Sequence, residues 1–163
     1  MVELHRLDTA SQVFFYENDF YVLSNFSAFE VVYGPWRFPT SEHLYHWRRF
    51  NLACSPEADT IARRIMYARS AHDAFKIAQE NKWAQVRTWD AIKSVEMGSI
   101  LRAKVEQHEY VRTKLLATGD RELIEDSWRD DFWGWGPNRD GQNMLGKLWM
   151  EIRAELRAAQ VAS

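Results

Sequence analysis

Between Arg37 and Phe50 the sequence reads RFPTSEHLYHWRRF, which sets Glu42, His43, His46, Arg48 and Arg49 among Tyr45, Trp47 and Phe50. A proline, two hydroxyl residues and then a carboxylate compose a helix start, where Glu42 gains roughly 0.3–1 kcal/mol against the helix dipole. A carboxylate among cations and rings can equally face a substrate that becomes positive as it reacts. His43 and His46 are three apart on one helical face, as a zinc pair would be. No HExxH is present, and His5, His72 and His108 add no ligand spacing. The single cysteine, Cys54, reads as a small packing residue, so no metal is expected. There is also no Walker loop, no GxGxxG and no GxSxG.

Two further stretches can carry chemistry. RDDFWGWGPNRDGQN holds three of the seven glycines, with Asp130, Asp131, Trp133 and Trp135, and leads to Asn143 at a helix start. Glycines let a backbone approach a ligand closely, and helix-start N–H groups favour phosphate. A structural turn with a cap is an equal reading of that pattern. In LSNF, Ser24 and Asn25 are small polar groups between apolar neighbours. Eight tryptophans, several in polar, turn-rich sequence, exceed the usual need of a small core. Singly each reads as a filler, and together they suggest a site that stacks a flat ring.

The elements that must position these residues are short strands followed by helices. QVFFY is a β-type run, YVLSNF reads as a second one after an Asn18-Asp19 turn, and FEVVYGPWRF reads as a hairpin turning at Gly34-Pro35. Thr40 or Ser41 caps a helix to about Ala53. Ser55-Pro56 starts the next, and Ser70 with Asp73 caps a third that ends near Asn81. Thr88 is placed to cap a long helix through about His108, with Ile92, Val95, Ile100 and Val105 as its apolar stripe. Another helix stops at Gly119, and ELIEDS is a short strand. The last helix carries Leu145, Leu148, Trp149, Ile152 and Leu156 on one face. The expected fold is α+β: a single, predominantly helical domain spanning 1–163, with a small β region near the N-terminus.

Composition bounds the function. The chain of 163 residues is 46% hydrophobic and 27% charged, which suits one ordinary domain with a real core. Basic residues number 21 and acidic ones 23, for a net charge of −2. That balance disfavours gripping long nucleic acid by charge, and leaves room for a pocket holding one or two phosphates. One cysteine and no apolar signal core or bilayer-length run lead to the expectation of a cytoplasmic protein without membrane contact.

The motifs also come in a distinctive order: SNF, PTSEH, Trp89 leading into LRAKVEQH, LLATGDRELIEDSWRDDFWGWG, and DGQNMLGKLWMEIR. From about Phe14 to Arg153 this resembles the NADAR family, also called YbiA-like N-glycosidases. The resemblance implies hydrolysis of an N-glycosidic bond between ribose and a base-like amine, without a cofactor. It implies as substrates phosphoribosylamino intermediates of riboflavin synthesis, or ADP-ribose attached to guanine in nucleic acid. PTSEH places the family's acid at Glu42, beside His43. The family tryptophan falls on Trp89, the D-x-aromatic-W-G motif on Asp130, Phe132, Trp133 and Gly134, and the G-x-N-x-L-G motif on Gly141, Asn143, Leu145 and Gly146. The lysine usual near the end of the PTSEH helix is here Arg49, which keeps the charge but offers a planar fork.

Cleaving a C–N glycosidic bond builds oxocarbenium-like charge on the ribose, which a facing carboxylate stabilises while a carboxylate or its partner orients water. On that chemistry the resemblance makes Glu42 the main carboxylate and Asp130 a supporting base or ribose-binding acid. Trp89 or Trp133 would stack the base, Arg49 and Lys104 attract phosphate, and Asn25 and Asn143 hydrogen-bond the ligand, with His43 beside them. The alternative is a module that senses ADP-ribose or NAD without turnover. The acids Glu42 and Asp130 speak against it, since binding a polyphosphate gains nothing from added negative charge.

Overall fold

The computed structural model describes residues 8–16 and 21–162. Along the chain run β1 (Gln12–Phe15), β2 (Val31–Tyr33), β3 (Trp36–Phe38), α1 (Ser41–Asn51), α2 (Pro56–Met66), α3 (Ala71–Glu80), α4 (Trp89–Gln107), α5 (Glu109–Ala117), β4 (Glu122–Glu125) and α6 (Met144–Ala162). The elements fall into two compact units: residues Asn25–Gln107, and the segment up to Ser24 together with that from His108 onward.

In the Asn25–Gln107 unit, β2 and β3 form the expected antiparallel hairpin, pairing Tyr33 with Trp36 across Gly34-Pro35. Gly34 has φ of +57°, which a residue with a Cβ adopts only at a cost. Hydroxyl caps set the helix starts: Thr40 accepts from the His43 N–H, Ser55 from Ala58, and Ser70 from Asp73. Pro56 occupies the first turn of α2. α1 packs against α2, α3, α4 and β3, and is buried almost all round. Its polar residues Ser41, Glu42, His43, His46 and Arg49 are therefore interior ones.

α4 departs from its expected stripe. Met97, Ile100, Leu101, Lys104 and Val105 form the buried face, while Val95 is 72% exposed. Val95 precedes Met97 by two residues, about 200° around the helix, so the two cannot share a face. No membrane-spanning helix is found: no helix among the described residues is long and apolar enough.

In the other unit, β1 pairs in parallel with β4, Gln12 opposite Glu122 and Phe15 opposite Glu125. The N-terminal strand thus takes its partner from late in the chain. YVLSNF does not form the expected strand: Tyr21–Leu23 is a 3-10 turn closed by Ser24 N–H to the Tyr21 carbonyl. The Asn18-Asp19 turn lies outside the described residues. Gly119 ends α5 with φ of +61°.

α6 packs on β4. Gly146 makes this possible, since a Cβ there would meet the Leu123 carbonyl oxygen at 2.0 Å. Leu145, Trp149 and Ile152 are buried on α6, with Leu148 and Leu156 half-buried beside them. The Trp149 indole donates to the Leu23 carbonyl, and the Arg153 guanidinium donates to the Thr118 hydroxyl.

Candidate active site

The polar interior of the Asn25–Gln107 unit starts at Glu42. Its side chain lies in the first turn of α1, and the residue is only 7% exposed. Oε1 accepts a 2.8 Å hydrogen bond from His46 Nε2, one turn on. A carboxylate only accepts, so Nε2 carries the proton in this pair. Oε2 takes no hydrogen bond among the described residues. The backbone N–H of Glu42 donates to the Asn25 carbonyl at 3.0 Å, which draws the SNF segment onto the helix start.

Around this carboxylate several buried polar atoms have no partner among the described residues: Asn25 Oδ1, Ser41 Oγ and His46 Nδ1. The Asn25 amide nitrogen reaches only the Met97 sulfur, at 3.4 Å. An unmatched buried polar group costs roughly 1–3 kcal/mol, so atoms of this kind near one carboxylate call for an explanation. His46 was no more than half of a rejected zinc pair in the sequence. The usable signal was its spacing, four residues from Glu42, which sets two side chains over one another.

His43 is held differently. Its Nε2 donates to the Ala68 carbonyl at 3.1 Å, and its Nδ1 lies 2.8 Å from the Thr40 hydroxyl. Thr40 can donate to Nδ1 while accepting from the His43 N–H, so a neutral ring satisfies every bond. Burial, the largest influence, moves its pKa below 6.5 and favours that form. His43 thus ties the start of α1 to the α2–α3 connection.

The cations divide clearly. Arg48 grips Glu96 with Nε and Nη2, at 2.7 and 3.1 Å. Arg49, buried, gives its Nε to the Gln85 amide oxygen and has no carboxylate within ion-pair distance among the described residues. Its pKa is lowered, burial outweighing the nearby Tyr45, Asp90 and Glu42. Lys104 is fully enclosed, donates to Ser27 Oγ at 2.8 Å and has its pKa lowered by burial to about 7. Trp89 is 2% exposed, its ring 5.0 Å from that of Tyr45.

In the other unit, Asp130 Oδ1 accepts from the Phe132 and Trp133 N–H groups at 2.9 and 2.7 Å, which fixes the turn of the glycine-rich loop. Trp133 is half-buried. The Asn143 amide is fully used by β4: Nδ2 donates to the Leu123 carbonyl, and Oδ1 accepts from the Glu125 N–H. Asn143 therefore fastens the loop and α6 to the strand. Among the described residues no group of three His, Cys, Asp or Glu side chains converges as metal ligands do.

Comparison with known proteins agrees with the motif order. The NADAR domain matches residues 14–157. N-glycosidase YbiA of Escherichia coli is 33% identical over 150 residues, covering 91% of this chain and 89% of that protein. An N-glycosidase of Nostoc punctiforme is 34% identical over 134 residues, covering 82% and 84%. A riboflavin biosynthesis protein of Vibrio vulnificus is 33% identical over 147 residues, which are 89% of this chain and 38% of that longer protein. The NMR structure of E. coli YbiA superposes with a TM-score of 0.82 at 29% identity, covering all of this chain and 96% of the other.

Proposed function

Because the chain belongs to the NADAR family, we propose that it is an N-glycosidase whose working carboxylate is Glu42 and whose substrate is a phosphorylated ribosyl amine. One observation carries the assignment of Glu42. It is a buried carboxylate with one oxygen fixed by His46 and the other left open, beside the unmatched polar atoms of Asn25, Ser41 and His46. A residue serving only the helix dipole would sit at the surface, where most Glu side chains are found.

The reaction follows from that geometry. As the C–N bond breaks, its electron pair leaves with the amine and positive charge spreads over C1′ and the ring oxygen of the ribose. Oε2 of Glu42 is the acceptor available to face that charge, and the enclosed surroundings strengthen the attraction. His46 holds the carboxylate in place, so little reorganisation is needed as charge develops. Water adds to C1′ and gives up a proton, the departing nitrogen gains one, and the products are a free ribose hydroxyl and a neutral amine. The buried amide oxygen of Asn25, which has no partner among the described residues, would suit a ribose hydroxyl if the site opens to admit one.

Arg49 supports a phosphate-bearing substrate. Buried arginines are normally paired, and this one has no carboxylate partner among the described residues. Lys104 lies too deep for direct phosphate contact as it stands, and its lowered pKa leaves it part neutral at pH 7. Two substrates fit this chemistry: a phosphoribosylamino intermediate of riboflavin synthesis, and ADP-ribosylated guanine in nucleic acid, presented as a single extruded nucleotide. Assaying released amine from both, for wild type and Glu42→Gln, tests the proposal. Turnover of either that Glu42→Gln abolishes upholds it. Tight ADP-ribose binding with no release from either would replace it with a sensor.

A further inference from the structure

One groove of the Asn25–Gln107 unit is not lined by Glu42. That groove, of about 570 Å³, lies between α2 and α3 and is bordered by Arg64, Tyr67, Arg69, Asp73, Lys76 and Glu80. Three of these are cations, all exposed, and none makes an ion pair or hydrogen bond among the described residues. Lys76 is three residues from Asp73 and four from Glu80, and pairs with neither. Tyr67, at the end of α2, is 78% exposed and its ring touches no other ring or cation among the described residues. The groove floor includes Ala68, whose carbonyl receives the His43 bond, so the α2–α3 connection is held in place from behind.

We propose that the α2–α3 groove is a second binding site, which takes a nucleotide by its phosphate on Arg64, Arg69 and Lys76 and by its ring on Tyr67. Unpaired cations along an open groove give phosphate an attraction that no protein carboxylate already satisfies. An exposed ring beside them offers a base a stacking surface of the kind single-strand binders use. Asp73 and Glu80 limit the groove to a small net positive charge, which fits one or two phosphates and not a long duplex. The nucleotide can come free or as part of a single strand. None of Asn25, Glu42, His46 and Arg49 lines this groove, and its occupancy does not depend on the glycosidic reading.

The test is a titration at low salt with inorganic phosphate, adenosine monophosphate and a short oligothymidine, followed by calorimetry. Variants Arg64→Ala, Arg69→Ala, Lys76→Ala and Tyr67→Ala all alter exposed side chains, and circular dichroism checks their folds. Each cation variant should weaken all three ligands and lower the salt slope for the oligonucleotide by about 0.7. Tyr67→Ala should weaken the two ring-bearing ligands and leave phosphate unchanged. Tighter binding of the monophosphate identifies a free nucleotide, and tighter binding of the oligonucleotide identifies a strand; either upholds the site. Glu42→Gln and Arg49→Ala should leave these affinities in place even where turnover is lost. If the groove variants bind like wild type, or only Arg49→Ala loses binding, the proposal is overturned.

Discussion

His46 Nε2 and Glu42 Oε1 lie 2.8 Å apart, one helical turn from each other, on a helix enclosed on nearly every side. The pair is fixed on one side, while Oε2 and the buried His46 Nδ1 have no hydrogen-bond partner among the described residues. Glu42→Gln keeps the shape and removes the charge, so kcat should fall by roughly two to four orders of magnitude with the fold retained. His46→Ala acts through Glu42, so it should lower kcat less. Near wild-type kcat in Glu42→Gln would falsify the role assigned to its carboxylate.

Much of the framework around this pair was legible because it is local. Thr40, Ser55 and Ser70 cap helices through bonds reaching three residues, and Gly34 turns a hairpin within two. What was not legible depends on distant partners. β1 pairs with a strand 110 positions away, and no property of QVFFY points to ELIE. α1 is buried all round, so the apolar periodicity that marks a core-facing stripe says nothing of which polar side chains turn inward. The family motifs brought Glu42 forward, but they did not separate Asn143, which braces backbone, from Asn25, whose buried amide oxygen has no partner among the described residues.

Arg49→Ala should raise KM for a phosphorylated substrate and leave its dephosphorylated counterpart nearly untouched. Arg49→Lys should recover part of the loss, since a point charge returns without the planar fork. Steady-state kinetics on the two substrates decides it, and equal effects on both would remove the phosphate from this account. Arg48→Ala is a useful contrast: its salt bridge to Glu96 is structural, so melting temperature should fall with little substrate dependence.

Asp130→Asn separates charge from loop structure. An asparagine keeps an oxygen that can accept from the Phe132 and Trp133 N–H groups, so the melting temperature should change by only a few degrees. A supporting role in catalysis predicts at least about a tenfold loss of kcat. Unchanged kcat in the folded variant makes Asp130 a turn residue alone.

Trp89→Ala should first cost stability, about 3–5 kcal/mol for an enclosed tryptophan, because its ring is 2% exposed and packs beside Tyr45. Denaturant melts measure this directly. A variant of wild-type stability that loses only affinity for the base would instead place the ring against the substrate.

The last prediction concerns protons. Lys104 holds its proton to about pH 7 when folded, against about 10.5 for an ordinary lysine, because burial penalises its charge. Between those values the unfolded chain binds a proton that the folded chain does not, so stability rises with pH across the window, by at most roughly 1.4 kcal/mol per unit. Below pH 7 the full penalty of burying the charge applies. His43, whose pKa is also lowered by burial, adds a loss in the same direction: as pH falls below about 6.5 the unfolded chain takes up a proton that the folded ring resists. Urea melts from pH 5 to pH 10 should therefore show Lys104→Met losing the rise between pH 7 and 10 while keeping the acid-side decline, and His43→Gln the reverse. If Lys104→Met follows the wild-type curve at every pH, the enclosed amine is not the group that titrates.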